Sequence, residues 1–444
     1  METAKNGCIY SAPDPKTEYY CHQNIKSAGF NLLMKLVLLA SEHRETDNSI
    51  KNYLKKFPDS INKQNDKGWT ALMLAVANVN KYSTINTIKQ LIVSKADPNI
   101  KNVNGTTALM MAVTDEYDNI EVIKLLLDGG VDQNIQDNNG QTALTMSIMN
   151  KVHIDKYYNF LIKNDMTVNI KDKFGNTPLI YAIKLYSGDK QTELITKLLQ
   201  SKADANISNN NKDTAVTLFI DMYGPSVNDN ILMKMLQVYN HNITDKAGNN
   251  VLLHILKKSK PFADQIMQQI ISKVNINKQN NIGDTALMLT LENISSTTNI
   301  IDYILNSKCN VNIENKHGNT PILHAVSFYS GDSILFNKLV ANGADLNHKN
   351  KSGATVIKHI IDNNDMLLAK EYVKNGGELT CNIFKYDKEN DVTAYLKPFI
   401  IKYEYYKLQH KELTKIINKI IGSLNKQTTK KHNTIDSIVD DYIV

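Results

Sequence analysis

Three histidines recur at matched intervals: His254, His324 and His359, spaced 70 and 35 residues apart. Imidazoles repeated along a periodic chain could build a row of metal ligands or acid–base groups. The row is broken, however, because Leu289 stands 35 residues after His254. No cysteine or carboxylate recurs beside these histidines in sequence, so a half-buried structural position is the expectation for them. The four cysteines, Cys8, Cys21, Cys309 and Cys381, include no CxxC pair. Thiols this scattered predict neither a zinc site nor a disulfide framework, and they fit a reducing compartment. No P-loop, GxSxG, HExxH or GxGxxG occurs. The carboxylates are dispersed, with no pair that has a reason to be buried together. The chain is therefore expected to have no catalytic residues, no metal and no cofactor, and not to be an enzyme.

The 444 residues carry a net charge of +6, mild for this length, and Arg44 is the only arginine. Lysine lacks the planar fork that makes bidentate contacts to phosphate or guanine. Residues 1–20 hold no apolar run of signal-peptide type, and the longest apolar run, Phe30 to Ala40, is interrupted by Lys35 and too short to span a bilayer. A chain in the cytoplasm, with no membrane contact, is expected.

What must position any functional residue is a repeat. Gly68-Trp69-Thr70-Ala71-Leu72 recurs as Gly105-Thr106-Thr107-Ala108-Leu109, Gly140-Gln141-Thr142-Ala143-Leu144 and Gly175-Asn176-Thr177-Pro178-Leu179. It returns as Gly283-Asp284-Thr285-Ala286-Leu287 and Gly318-Asn319-Thr320-Pro321-Ile322. Looser copies start at Lys212, Gly248 and Gly353. Successive starts differ by 37, 35, 35, 37, 36, 35, 35 and 35 residues, so nine copies run in phase. A second motif closes each unit, as in Lys95-Ala96-Asp97-Pro98-Asn99 and Gly343-Ala344-Asp345-Leu346-Asn347. Glycine permits a turn with positive φ, the threonine can cap a helix, and Pro178 and Pro321 fall at a first helical position. Leu109, Ala112 and Val113 predict an apolar stripe on the first helix of unit two; Ile120, Ile123, Leu126 and Leu127 predict one on the second.

This pattern resembles the ankyrin repeat, D-x-x-G-x-T-P-L-H-x-A through to L-L-L-x-x-G-A-D-x-N, over about Ile61 to Leu379. The resemblance implies an all-α repeat solenoid in which each unit is a β-turn finger followed by two antiparallel helices. Two departures stand out. The histidine of the family pattern is replaced throughout, by Met73, Met110, Thr145, Ile180, Thr217, Leu253, Met288, Leu323 and Lys358. The units also exceed the usual ~33 residues, and the extra length is expected between the two helices, opposite the finger.

The expected organisation is an N-terminal tail (1–20), capping helices (21–60, with Phe30–Ala40 and Ile50–Phe57 helical), the repeat domain (61–379), C-terminal capping helices (380–424) and a linker with a short amphipathic tail helix (425–444). Phe399, Tyr403, Tyr406, His410, Leu413, Ile417 and Ile420 form a seven-residue seam on a helix expected to start just after Pro398. That helix either closes the last repeat, leaving the chain a monomer, or pairs as a coiled coil. In the tail, Ile435, Ile438, Val439 and Tyr442 share one helical face.

In ankyrin-repeat proteins the finger tips and the concave face of the first helices make most contacts. Carried onto this sequence, the implied contact residues are Asp66, Lys67, Trp69, Lys173, Phe174, Lys246, Ile282, His317 and Lys351, with Trp69, the only tryptophan, expected to be exposed. The implied function is a non-enzymatic protein-binding scaffold. The Asn/Ile/Lys bias and the Thr-Ala-Leu-Met wording resemble the expanded ankyrin families of giant DNA viruses, mimivirus-like, which implies a host protein as partner and the host cytoplasm as location. The competing class is nucleic-acid binding through lysines on fingers and tail. A phosphate track would carry a larger net charge than +6.

Overall fold

A computed structural model describes residues 29–38, 40, 46–79, 83–115, 118–151, 154–162, 167–185, 187–224, 229–258, 262–292, 298–328, 332–379 and 390–427. The N-terminal tail, the tail helix expected within 435–444, and Cys8, Cys21 and Cys381 lie outside the described residues. The described secondary structure is helical, with isolated bridges and no named strand among the described residues. The chain forms two compact units, Met1–Asn275 and Ile276–Val444.

The first unit opens with α1 (Leu32–Leu38) and α2 (Thr46–Lys56), so the second helix begins earlier than its apolar residues suggest. Six helix pairs follow: α3 (Ala71–Ala77) with α4 (Ile85–Val93), α5 (Ala108–Thr114) with α6 (Ile120–Asp128), and α7 (Ala143–Asn150) with α8 (Ile154–Leu161). Next come α9 (Pro178–Leu185) with α10 (Gly188–Gln200), α11 (Ala215–Tyr223) with α12 (Asp229–Val238), and α13 (Val251–Lys257) with α14 (Asp264–Lys273). The second unit holds three pairs: α15 (Ala286–Glu292) with α16 (Thr298–Asn306), α17 (Pro321–Phe328) with α18 (Ser333–Ala341), and α19 (Val356–Asp362) with α20 (Met366–Lys374). It closes with α21 (Asp391–Gln427).

Eight of the nine first helices start on a capped backbone, whereas before α17 the buried Thr320 hydroxyl makes no hydrogen bond. Thr70 Oγ1 accepts from the Met73 N–H at 3.2 Å, and Thr107, Thr142, Thr214, Asn250 and Thr355 cap their helices in the same way. A cap of this kind is worth about 1 kcal/mol. The first helices are buried almost all round: every residue from Ala71 to Val76 is buried in α3. First helices pack on the first helices of neighbouring pairs as well as on their own second helices. The second helices are amphipathic; α6 buries Val122, Ile123 and Leu126, with Ile120 and Leu127 only half-buried at the rim. One pair alone would leave these faces wet, and burying a single Leu or Ile side chain contributes about 1.5–3 kcal/mol, so a helix pair is stable only between neighbours.

Length varies most in the turn opposite the finger, from two residues between α9 and α10 to seven between α3 and α4, while the segment that carries the finger ranges from 12 residues (α12 to α13) to 16 (α8 to α9). Five residues separate α5 from α6.

The C-terminal helix differs from expectation. It begins at Asp391 and contains Pro398, rather than starting after it. Val392, Leu396 and Ile400 are buried, and this first stretch packs on α19 and α20. From Ile401 to Ile420 almost every residue is exposed. Pro398 sits where packing gives way to solvent, at a point where the missing N–H removes one helical hydrogen bond.

Candidate binding surface

Every finger is built on one side chain. Three residues before each turn glycine stands Asn or Asp, and its Oδ1 accepts the N–H of the residues two and four further on. Asn65 takes Lys67 N–H (3.0 Å) and Trp69 N–H (2.9 Å), and Asp172 takes Phe174 N–H (2.9 Å) and Asn176 N–H (2.8 Å). The same pair of bonds recurs at Asn102, Asp137, Asn209, Asp245, Asn280, Asn315 and Asn350. The glycine supplies the positive φ that closes the hairpin, +75° at Gly68 and +76° at Gly175.

Neighbouring fingers are then stitched tip to tip by backbone. In the first unit Val103 N–H donates to Lys67 O, Asn138 to Asn104, Lys173 to Asn139 and Asn210 to Phe174, at 2.9–3.1 Å. In the second, Lys316 donates to Ile282 (3.0 Å) and Lys351 to His317 (3.1 Å). Gln64, Gln136 and Gln279 each reach from their own turn-glycine carbonyl to a carbonyl of the next finger. At the finger base the closing asparagine of one repeat accepts an N–H from the next: Asn62 from Asp97 (2.9 Å), Asn206 from Asn240 (2.6 Å), Asn312 from Asp345 (2.8 Å). The tips are thus ordered before anything binds, which removes one cost of association.

Asp66, Lys67, Lys173, Phe174 and Lys246 are exposed in the first unit, and Ile282, His317 and Lys351 in the second. Phe174 is 67% exposed. Trp69 corrects the sequence reading: it is half-buried. It follows the glycine, a position that turns back toward the helices; its counterparts Gln141, Asn176, Asn249 and Asp284 are all buried. Val103, 57% exposed at a tip, is the apolar residue the sequence reading missed. Aligning tip positions across repeats, where Val103 matches Asp66 and Lys173, would have found it.

The histidine row also needs correction. A carboxylate does stand beside His254, on either side: Nδ1 lies 2.9 Å from Asp245 Oδ2 and Nε2 lies 2.9 Å from Asp221 Oδ1, with Lys258 Nζ 2.9 Å from the same Asp221 oxygen. Those partners are 9 and 33 residues away in sequence, so local inspection hides them. Tyr181 OH reaches Asp172 Oδ2 at 2.5 Å and His324 Nε2 meets Asn315 Nδ2 at 3.2 Å, each again nine residues apart. At these three positions the column braces the first helix against the side chain that shapes its own finger. Burial pushes Asp245 up, but hydrogen bonds from His254 and Asn249 outweigh it and hold the carboxyl below its ordinary value. Burial and then Asp172 push the Tyr181 hydroxyl up to about 12. Among the described residues no group of three or more His, Cys, Asp or Glu could hold a metal ion, and no helix is long and apolar enough to cross a membrane.

At the position of the family's histidine, Met73, Met110, Ile180, Leu253, Met288 and Leu323 are all buried, as are Thr145 and Thr217. Apolar packing occupies the place of that histidine's hydrogen bonds at the Met, Ile and Leu positions, while Thr145 and Thr217 bond to their own capping threonines.

Fingers stitched edge to edge above stacked helix pairs define an all-α repeat scaffold with an outward-facing, preformed surface. Sequence comparison agrees: the family Ankyrin repeats (3 copies) matches residues 36–137, 79–172 and 116–209, and Ankyrin repeat matches 317–351. Residues 36–209 and 317–351 of the chain are thus ankyrin repeats. The chain is similar to ankyrin repeat proteins of Acanthamoeba polyphaga mimivirus: one is 40% identical over 92 residues, 20% of this chain and 14% of the relative. A second is 38% identical over 96 residues (21% and 15%), and a third 42% over 95 (21% and 16%). The matched stretches thus span under a fifth of each of these relatives.

Proposed function

We propose that the chain is a non-enzymatic scaffold that binds a host protein through its finger tips in the host cytoplasm. The observation that carries this reading is Phe174, two-thirds exposed on a tip whose backbone is fixed by the Asp172 side chain and by the Asn210 N–H. A rigid aromatic presented to solvent is the usual anchor of a protein interface, and Val103 extends the apolar surface in the same unit. Lys67, whose carbonyl accepts the Val103 N–H, and Lys173 beside Phe174 supply the polar rim such interfaces have, and Lys246 is exposed on a finger further along. Similarity to mimivirus proteins supports a host partner.

The test compares the whole chain with a Val103→Ala, Phe174→Ala variant as bait in an amoebal host lysate. Both side chains face solvent, so the two baits should give the same circular dichroism. A protein captured by the first bait and lost with the second supports the reading. Equal capture by both would move the contacts off these tips. If neither captures protein and both retain nucleic acid at physiological salt, the lysine-based alternative takes its place.

A further inference from the structure

The exposed part of α21 has no role in closing the repeats. The last fully buried residue of this helix is Ile400 and Glu404 is half-buried, yet from Tyr405 to Ile420 large apolar side chains stand in solvent; Tyr406 is 57% and Leu413 58% exposed. Two apolar stripes are visible. One, through Ile401 and Leu408, reaches Lys415 and Gly422 at its next seven-residue steps and stops. The other runs from Phe399 through Tyr403, Tyr406, Leu413, Ile417 and Ile420, with His410 as its one polar member, and its next register position is Leu424. A stripe alternating by four and three is the seam of a two-helix coiled coil.

From this seam we infer that a second copy of the chain covers it, with the two α21 helices running antiparallel. The size match between the seam's two halves selects a second copy as the occupant, and three observations select this direction. First, the seam is aromatic in its first half and aliphatic in its second. Antiparallel layers join Tyr403 to Ile420 of the second copy, Tyr406 to Ile417 and His410 to Leu413, so each layer combines one bulky and one smaller residue. A parallel pair would stack Tyr403, Tyr406 and His410 each on itself. Second, the charges agree. A parallel pair puts Lys402 against Lys407 of the other copy, twice, whereas the antiparallel pair puts Lys402 near Ser423 and Lys407 near Thr414. Third, Val392, Leu396 and Ile400 hold the start of the helix against the last repeat, so a parallel pair would crowd two repeat stacks at one end. The antiparallel pair sends them to opposite ends of the seam, and Tyr403 and Ile420 on one helix are about 25 Å apart.

Sedimentation of the full chain over a concentration series tests the pairing. The mass is expected to rise from one chain toward two, and a Leu413→Asp, Ile417→Asp variant is expected to stay at one chain. Both positions face solvent in the single chain, so that variant should keep the parent circular dichroism and melting temperature. Cysteine crosslinking tests direction. A Tyr403→Cys, Ile420→Cys variant should form a reducible covalent dimer under mild oxidation, while each single variant crosslinks no more than the parent chain. A one-chain mass at every concentration overturns the inference. A one-chain mass that doubles only when residues 428–444 are removed assigns the seam to that segment and also overturns it. Self-crosslinking by the Tyr403→Cys variant alone overturns the antiparallel arrangement.

Discussion

Two glycines of one repeat separate the cost of an unusual backbone angle from the cost of pushing fingers apart. Gly105 (φ +79°) turns the second finger, and Gly130 (φ +84°) follows α6. A Cβ on Gly130 would meet nothing within 4 Å. Gly130→Ala therefore carries only the left-handed backbone penalty, about 1–2 kcal/mol. A Cβ on Gly105 would lie 2.6 Å from the Asn138 backbone nitrogen and 2.8 Å from its Oδ1. Those atoms belong to the next finger, and the same nitrogen donates to Asn104 O at 3.0 Å while Asn138 Nδ2 donates to Val103 O at 2.9 Å. Backbone cannot rotate away as a flexible side chain can. Gly105→Ala should add the loss of one or two hydrogen bonds, about 1 kcal/mol each, and an overpacking term of about 1–3 kcal/mol. The expected gap between the two variants is about 2–5 kcal/mol, read from urea midpoints followed by circular dichroism. Equal destabilisation would refute the argument that adjoining fingers touch through this glycine.

Other predictions test other joints. Gly377→Ala places a Cβ 2.2 Å from the ring of Tyr372, which is buried and held by bonds to Asn347 and to Glu378 O, so a loss of about 3 kcal/mol or more is expected in thermal unfolding. Asn206→Ala removes acceptance from Asn240 N–H and donation to Val238 O, and should lower stability by about 1–2 kcal/mol by urea titration. Burial holds His324 and His359 below the ordinary imidazole value, so the unfolded chain binds the extra proton first. Stability contributed by these neutral rings is present above about pH 6.5 and falls as pH drops from there toward their folded values. His324→Leu, the residue already present at Leu289, should flatten that acid-side decline in melting temperature; an unchanged slope would assign it to other groups.

The repeat and its threonine caps were legible because they depend on residues within a few positions of one another. Glycine, threonine and small residue arrive together at a fixed spacing, and the structure turns each into a finger and a capped helix. What stayed hidden depended on contacts across repeats or on the direction of one side chain. Trp69 looked exposed because it neighbours the turn glycine, yet that position faces the helices. The carboxylates around His254 come from its own finger and from the first helix of the preceding pair, so no local pattern reveals them. The start of α21 was misplaced because proline is read as a boundary, whereas here Val392, Leu396 and Ile400 hold helix on both sides of it.

The finger stitches have a consequence for how such a chain can change over generations. Most junctions are made by equivalent atoms of neighbouring repeats, while the larger length differences fall in the far turn. Unequal crossing-over that drops or duplicates a whole repeat would rejoin compatible edges, whatever the two parental lengths. A cut in any other phase would leave a finger without its closing asparagine. The genetic unit that can be exchanged without loss of folding is therefore the interval between equivalent asparagines, and the apolar tips travel with it as cargo.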